Sequence, residues 1–325
     1  MTSTLHSGSI EFPEVSTKLI KPTKPAVARV VSNEPCTFGK SNAWVRSVAL
    51  DLSGTELEHA FKVGQAFGVI PPGRDARGKP HKVRLYSIAS PERGEDGAGK
   101  VVCTPVKRVV DEYWQNGTTA QRRGLFMGVC SNYLCDLAAG DPVLITGPVG
   151  KRFLLPLDRD GHDYVFVATG TGIAPYRGML LDLLRGPQGP TRRNVWLLMG
   201  APYTSDLLYH ELFLGLAREF ENFHYLNAIS REPFAGGPRG IYVDRLLDLH
   251  RDALTPVLAA PNTLLYLCGL AGMQFGVFRR LKSLGLLEAY GSPNETLQSK
   301  DLANWSDRAM KHAIKPTERC MIEVY

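Results

Sequence analysis

A chain of 325 residues, 44% hydrophobic and 22% charged, is long enough for two globular domains and ordinary in composition for them. It holds no apolar run of about eighteen residues, which excludes a membrane-spanning helix, and a net charge of +6 without a recognition motif argues against nucleic acid as a ligand. The six cysteines show neither disulfide-scaffold nor zinc spacing, and Cys130 and Cys135 lack the third cysteine that a plant-type iron–sulfur cluster needs, so no metal site is expected.

Residues 1–25 hold Lys, Pro, Ser and Thr with little periodicity and read as a flexible tail. They lack the basic start and long apolar centre of a secretory signal, and Glu11 and Glu14 argue against a transit peptide, so a cytoplasmic location is expected. Residues 26–157 read as all-β. Short apolar runs at 44–52, 83–88, 101–106 and 142–146 are separated by Gly, Pro and Asp clusters, the rhythm of a sandwich or barrel. Short helical turns are expected near 121–124 and 132–137. From 158 to 325 the rhythm changes. Strands at 164–168, 195–199, 223–229 and 264–268 alternate with helices at 176–184, 206–220, 243–249 and 273–284, which predicts a parallel sheet covered on both faces. A last helix at 297–313 and a terminal strand at 321–325 complete the reading.

Five segments carry chemistry. In Arg84-Leu85-Tyr86-Ser87 the alternation of a strand puts Arg84 and Tyr86 on one face, where a guanidinium fork suits a diphosphate and a phenol suits a flat ring. An ordinary strand reads the same way. In Gly128-Val129-Cys130-Ser131-Asn132 a helix starting near Ser131 offers free backbone N–H groups to an anion, or is only a capped helix. Thr169-Gly170-Thr171-Gly172-Ile173-Ala174-Pro175 follows a buried strand and opens a helix, although Pro175 stands where the dinucleotide fingerprint has its third glycine. Cys268-Gly269-Leu270 ends another strand at the edge where α/β sheets bind ligands. The chain closes on Glu323-Val324-Tyr325, whose ring could lie over a cofactor or fray.

Together, in this order and spacing, the five segments closely resemble plant-type ferredoxin–NADP reductases from about Ala26 to Tyr325. Further matching stretches are Gly68-Val69-Ile70-Pro71-Pro72-Gly73, Thr146-Gly147-Pro148-Val149-Gly150-Lys151 and Ala228-Ile229-Ser230-Arg231-Glu232. The resemblance implies an antiparallel β-barrel that binds FAD, followed by a Rossmann-like α/β domain that binds NADP(H). It also implies hydride transfer between nicotinamide C4 and flavin N5, with single electrons exchanged with ferredoxin or flavodoxin. By the same resemblance FAD would be held by Arg84, Leu85, Tyr86, Ser87, Val106, Lys107, Val129, Cys130, Ser131 and Tyr325. NADP would be held by Thr169, Gly170, Thr171, Gly172, Ser230, Arg231, Arg239, Cys268, Gly269 and Leu270. Ser87, Cys268, Glu323 and Tyr325 would surround the reacting atoms.

Three places depart from the family pattern. Ile241 and Val243 stand where a tyrosine and a glutamine usually meet the adenine and 2′-phosphate, with Tyr242 displaced by one. Asp111 stands where many members stack a tyrosine on the FAD adenine, leaving Tyr113 or Trp114 as substitutes. Cys320-Met321 replaces an aromatic and a polar residue. Lys21, Lys24, Lys40, Arg74, Arg77, Lys79, Lys82 and Arg152 form either a scattered solvated surface or a positive face that steers an acidic carrier protein. A monomer is the expected state. The rival readings are a reductase dedicated to one oxygenase chain and a non-catalytic flavin- or nucleotide-binding module.

Overall fold

The computed structural model describes residues 10–41, 43–114, 123–234, 237 and 239–325. The first half builds β1 (Ala26–Pro35), β2 (Val45–Asp51), β3 (Ala66–Ile70), β4 (Arg84–Ser87), β5 (Val101–Lys107), the hairpin β6 (Val110–Trp114) and β7 (Arg123–Met127), helix α1 (Val129–Asp136) and β8 (Pro142–Val149). Six of these strands form one antiparallel sheet in the order β4-β3-β8-β1-β2-β5. Just past β4 the Ala89 amide donates to the Cys103 carbonyl on β5 at 2.8 Å, which draws the two edges together and curls the sheet into a barrel. Its alternating apolar face supplies Val30, Val48, Leu50, Phe67, Val69, Val102, Val143 and Ile145 to one core, and α1 covers it with Cys130, Leu134 and Cys135. Each fully buried aliphatic side chain there contributes about 1.5–3 kcal/mol.

The helix expected near 121–124 does not form where the structure speaks: residues 121 and 122 lie outside the described residues, and Arg123 and Gly124 pair in β7. Residues 10–25, expected as part of a flexible tail, are tied down, while 1–9 lie outside the described residues. Ile10 and Phe12 pack on the core beneath the second sheet, the Glu11 carbonyl accepts from the Leu157 amide at 2.9 Å, and Ile20 is only 2% exposed beside Gly147.

The second half alternates β9 (Asp163–Thr169), α2 (Ala174–Arg185), β10 (Val195–Ala201), α3 (His210–Glu219), β11 (Phe223–Ile229), α4 (Leu246–Leu249), α5 (Arg251–Ala259), β12 (Thr263–Gly269) and α6 (Ala271–Ser283). Next come α7 (Leu287–Tyr290), β13 (Gly291–Pro293), α8 (Glu295–Gln298), α9 (Asp307–Met310), β14 (Ile314–Pro316) and β15 (Cys320–Val324). The sheet is parallel throughout, in the order β11-β10-β9-β12-β15. β9, β10 and β12 are buried along their length, as continuous apolar runs in a two-faced sheet must be. Helices α2 and α3 cover one face and α4, α5 and α6 the other. Strand order reverses between β9 and β12, so a crevice opens at their carboxyl ends.

The long helix expected over 297–313 is broken into α8, a short turn and α9, and the chain then pairs β14 with β13. Asn294 and Ser306 each start a new turn by accepting a backbone N–H, from Leu297 and Ala309. Between them the buried Trp305 ring is fixed by its Nε1–H donating to the Lys300 carbonyl at 3.2 Å.

Candidate active site between the two sheets

One wall of the site comes from β4 and α1. Arg84 and Leu85 are exposed on the edge strand, and Tyr86 and Ser87 are half-buried. Arg84 donates only to the carbonyls of Lys82 and Val83, at 3.5 and 3.3 Å, and pairs with no carboxylate among the described residues. Tyr86 leans on Phe67, ring centroids 6.4 Å apart, and burial pushes its phenol well above the usual range. Helix α1 starts at Gly128 without a side-chain cap, so its first amides are left for another partner. Glycine is needed there, because a methyl would stand closer than 3.0 Å to Ser131 Oγ and Val109 Cβ. Ser131 Oγ accepts from the Val109 amide at 3.2 Å, and Asn132 Nδ2 donates to the Val109 carbonyl at 2.9 Å, so α1 fixes the base of the β6–β7 hairpin.

The facing wall comes from the turn after β9 and the ends of β12 and β15. Thr169 closes β9, and Gly170, Thr171, Gly172 and Ile173 form a tight turn into α2, with Gly170 at φ +55°. Gly172 touches the next strand end: a methyl there would lie closer than 3.0 Å to the Cys268 carbonyl. Gly269 has φ +134°, which favours glycine, and Thr169 Oγ1 accepts from the Leu270 amide at 2.9 Å. Cys268 and Glu323 are register partners on β12 and β15. Burial pushes the Cys268 thiol well up, with Glu323 adding to it, so the sulfur is a neutral thiol at neutral pH. Burial also pushes the Glu323 carboxyl up to about 7. The chain's last residue is tied to this wall: the Tyr325 amide donates to the Gly269 carbonyl at 3.0 Å, its own carbonyl accepts from Ala271 at 3.1 Å, and its hydroxyl meets Thr171 Oγ1 at 2.6 Å.

The two walls enclose one open cleft of about 670 Å³. Arg84, Leu85, Tyr86, Ser87, Lys107, Val129, Cys130 and Ser131 line it from the first sheet, and Thr171 and Tyr325 from the second. Among the other residues read from the sequence, Thr169, Gly170, Gly172, Cys268, Gly269, Leu270 and Glu323 are not on the lining but belong to the strand ends and turn that carry Thr171 and Tyr325. Val106 does not reach it; its side chain is buried in the barrel core between Pro105 and Lys107. The site residues assigned from the sequence leave out His81, Lys82, Thr104, Pro105, Val109, Phe126 and Ala174 on the lining. Ala174 could have been found, since it continues the glycine turn; Phe126 could not, because only the hairpin register brings it opposite Asp111. The side chains of Tyr113 and Trp114 lie outside the described residues.

Ser230, Arg231 and Arg239 stand apart from the cleft, at the carboxyl end of β11. The Ser230 and Arg231 amides donate to the carbonyls of Ala201 and Pro202, at 3.0 and 2.9 Å, and the Arg231 guanidinium lies 5.9 Å from the Tyr203 ring centroid. Arg239 is exposed beside them. Of the three residues at the departure noted in the sequence, Val243 is buried, Ile241 is half-buried and Tyr242 presents its ring to solvent at 73% exposure.

The comparisons with known proteins agree with this architecture. Residues 166–278 match the family model for an oxidoreductase NAD-binding domain. The ferredoxin–NADP reductase of a Spirulina species is 36% identical over 96% of this chain and 99% of its own length. The chloroplastic leaf isozyme 1 of ferredoxin–NADP reductase from Oryza sativa subsp. indica is 36% identical over 96% of this chain and 80% of its own length. The solved ferredoxin–NADP+ reductase of Plasmodium falciparum shares the fold, with a TM-score of 0.67 over 95% of this chain and 99% of that one at 20% identity. Nearly full-length similarity to these reductases, on a barrel joined to a parallel sheet, places the chain in the plant-type ferredoxin–NADP reductase family.

Proposed function

We propose that the chain is an FAD-dependent ferredoxin–NADP reductase, moving electrons between NADP(H) and a one-electron carrier protein, ferredoxin or flavodoxin. The observation that carries this reading is the shared cleft, to which β4 and α1 contribute one wall and Thr171, Ala174 and Tyr325 the other. Its residues fit FAD on three counts: the volume suits a large cofactor, Arg84 has no carboxylate partner among the described residues, and α1 starts without a side-chain cap. In this reading residues 26–157 form the flavin unit and 158–325 the nucleotide unit.

When bound, the flavin supplies the step between a two-electron hydride donor and a one-electron partner. The protein's part is binding, orientation and proton handling. Arg84, Lys107 and the α1 amides at Val129, Cys130 and Ser131 neutralise a diphosphate, while Leu85 and Tyr86 give a flat ring an apolar bed, with Val106 supporting the wall from the core. Tyr325 would cover the open face of that ring, and releasing it would cost the hydrogen bond to Thr171. The turn Thr169–Gly172 would cradle the NADP diphosphate, Cys268, Gly269 and Leu270 would border the nicotinamide, and Ser230, Arg231 and Arg239 would take the 2′-phosphate. Ser87 donates a hydrogen bond at the reacting edge, and Glu323, titrating near neutral pH, holds or releases a proton behind it.

Among the described residues no helix is long and apolar enough to cross a membrane. The cytoplasmic location and monomeric state expected from the sequence remain part of the proposal. The test is NADPH-driven reduction of ferricyanide, then of cytochrome c through added ferredoxin or flavodoxin. Turnover with both supports the reading; no NADPH-dependent reduction of ferricyanide would leave only a non-catalytic binding module.

A further inference from the structure

Helix α2 grows directly out of the turn that lines the cleft. Ala174 is on the lining, and Arg177, one turn further, points out of the nucleotide unit and into the barrel. Its Nη1 and Nη2 donate to Glu95 Oε1 and Oε2 at 2.5 and 2.9 Å, and Nη1 also donates to the Ala89 carbonyl at 3.0 Å. Glu95 is held in turn: it accepts from Ser90 Oγ at 2.6 Å and from the Cys103 thiol at 3.2 Å, while Ser90 Oγ accepts from the Cys103 amide at 2.7 Å. The Arg177 side chain is 15% exposed and that of Glu95 29%, and the Tyr209 ring centroid lies 5.1 Å from the guanidinium carbon. The residues gripped adjoin the cleft wall: Ser90 follows Ser87 by three positions, and Cys103 precedes the lining residues Thr104 and Pro105.

The backbones also meet at this seam. A methyl on Gly178 would stand closer than 3.0 Å to the Ser90 carbonyl, so α2 sits directly on the barrel segment that follows β4. Ala174 packs there with Ala49, Ala89 and Cys103, a contact made of small residues. Neither Arg177, Glu95 nor Gly178 lines the cleft.

We infer that Arg177, Glu95 and Gly178 act as positioning residues: they rivet α2 to the strands that carry Ser87, and so set the separation between the cleft's two walls. The inference rests on the functional reading above. Hydride transfer needs the reacting atoms about 3–3.5 Å apart, and a shift of about 1 Å can cost on the order of a hundredfold in rate. A clasp that fixes one wall against the other therefore acts on the chemical step and leaves the binding of either nucleotide half alone. Losing the Arg177 fork would also leave the partly buried Glu95 carboxylate without its cation, which now holds it below its ordinary range against the cost of burial.

The test uses the full chain with FAD bound. Glu95→Gln keeps the shape and removes the charge; Gly178→Ala pushes α2 off the Ser90 carbonyl. Gly215→Ala in α3, where a methyl meets nothing within 4 Å, is the control. In both clasp variants, single-turnover reduction of the flavin by saturating NADPH should slow by about tenfold or more. The long-wavelength absorbance of stacked nicotinamide and flavin rings should weaken with it. Flavin content should hold, and affinity for adenosine 2′,5′-bisphosphate should stay within about twofold. If Gly178→Ala does not fold, Glu95→Gln decides. Unchanged single-turnover rates, or a rate that falls only in step with lost flavin, would overturn the inference. An unaltered protein that binds FAD yet is not reduced by NADPH would overturn the functional reading, and this inference with it.

Discussion

Tyr325 is held at the end of the chain by two backbone hydrogen bonds and one between its hydroxyl and that of Thr171, yet the residue stays 63% exposed. A ring fixed at its backbone and free on its face suits a movable cover. If its stacking on a flat cofactor is worth about 1 kcal/mol, removing it should raise nicotinamide affinity several-fold. Tyr325→Ser is therefore expected to tighten NADP(H), weaken the discrimination against NADH and slow turnover; titration of the flavin spectrum with each coenzyme measures this, and unchanged affinities would count against the assignment. Glu323 carries a separate, pH-dependent signature. Burial raises its carboxyl from 4.5 to about 7, so the folded chain binds this proton more tightly than the unfolded chain does. The group's contribution is full below pH 4.5 and is lost as pH rises through about 7. Glu323→Gln, neutral at every pH, should melt at a higher temperature than the unaltered chain near pH 8, with the gap closing toward pH 4. A gap independent of pH would contradict the burial argument.

At the scale of elements, the turn between β9 and α2 is the tightest joint in the cleft. Gly172 rests against the Cys268 and Gly269 backbone, and neither neighbour can yield as a side chain would. Gly172→Ala should cost about 1–3 kcal/mol of stability through overpacking, read as a lower midpoint in urea, and weaken NADP+ binding; a stability equal to the unaltered chain would mean the turn can relax. This joint was legible in the sequence because a buried apolar strand, a glycine turn and Pro175 each point to the same geometry. The parallel sheet was legible for the same reason, since β9, β10 and β12 are continuous apolar runs. What was not legible depended on distant contacts. Residues 10–25 look structureless in the sequence because the apolar residues that seat them, Ile10, Phe12 and Ile20, find their partners only on the assembled domains. Residues 297–313 carry helix formers, but caps at Asn294 and Ser306 and the buried Trp305 divide them. Val106 alternates correctly for a strand, yet only the closed barrel shows that its face is the inner one.

For the whole molecule the decisive feature is that each half lacks what the other supplies. The barrel offers an apolar shelf beside Arg84, Lys107 and the start of α1, and the parallel sheet brings the crevice at its β9–β12 reversal against them. Between the halves run residues 10–25 and the Arg177–Glu95 pair, which join the two sides of the cleft. With a net charge of +6 on the chain, encounter with an acidic carrier protein should weaken as salt rises. The central claim, that a flavin on one wall meets a nicotinamide from the other, is tested most directly by the visible spectrum of the purified chain as NADPH is added without air. The account predicts the two absorption bands of FAD, bleached by NADPH at lower concentration than by NADH. A colourless protein that takes up no added FAD, or bound FAD that NADPH leaves oxidised, would contradict it.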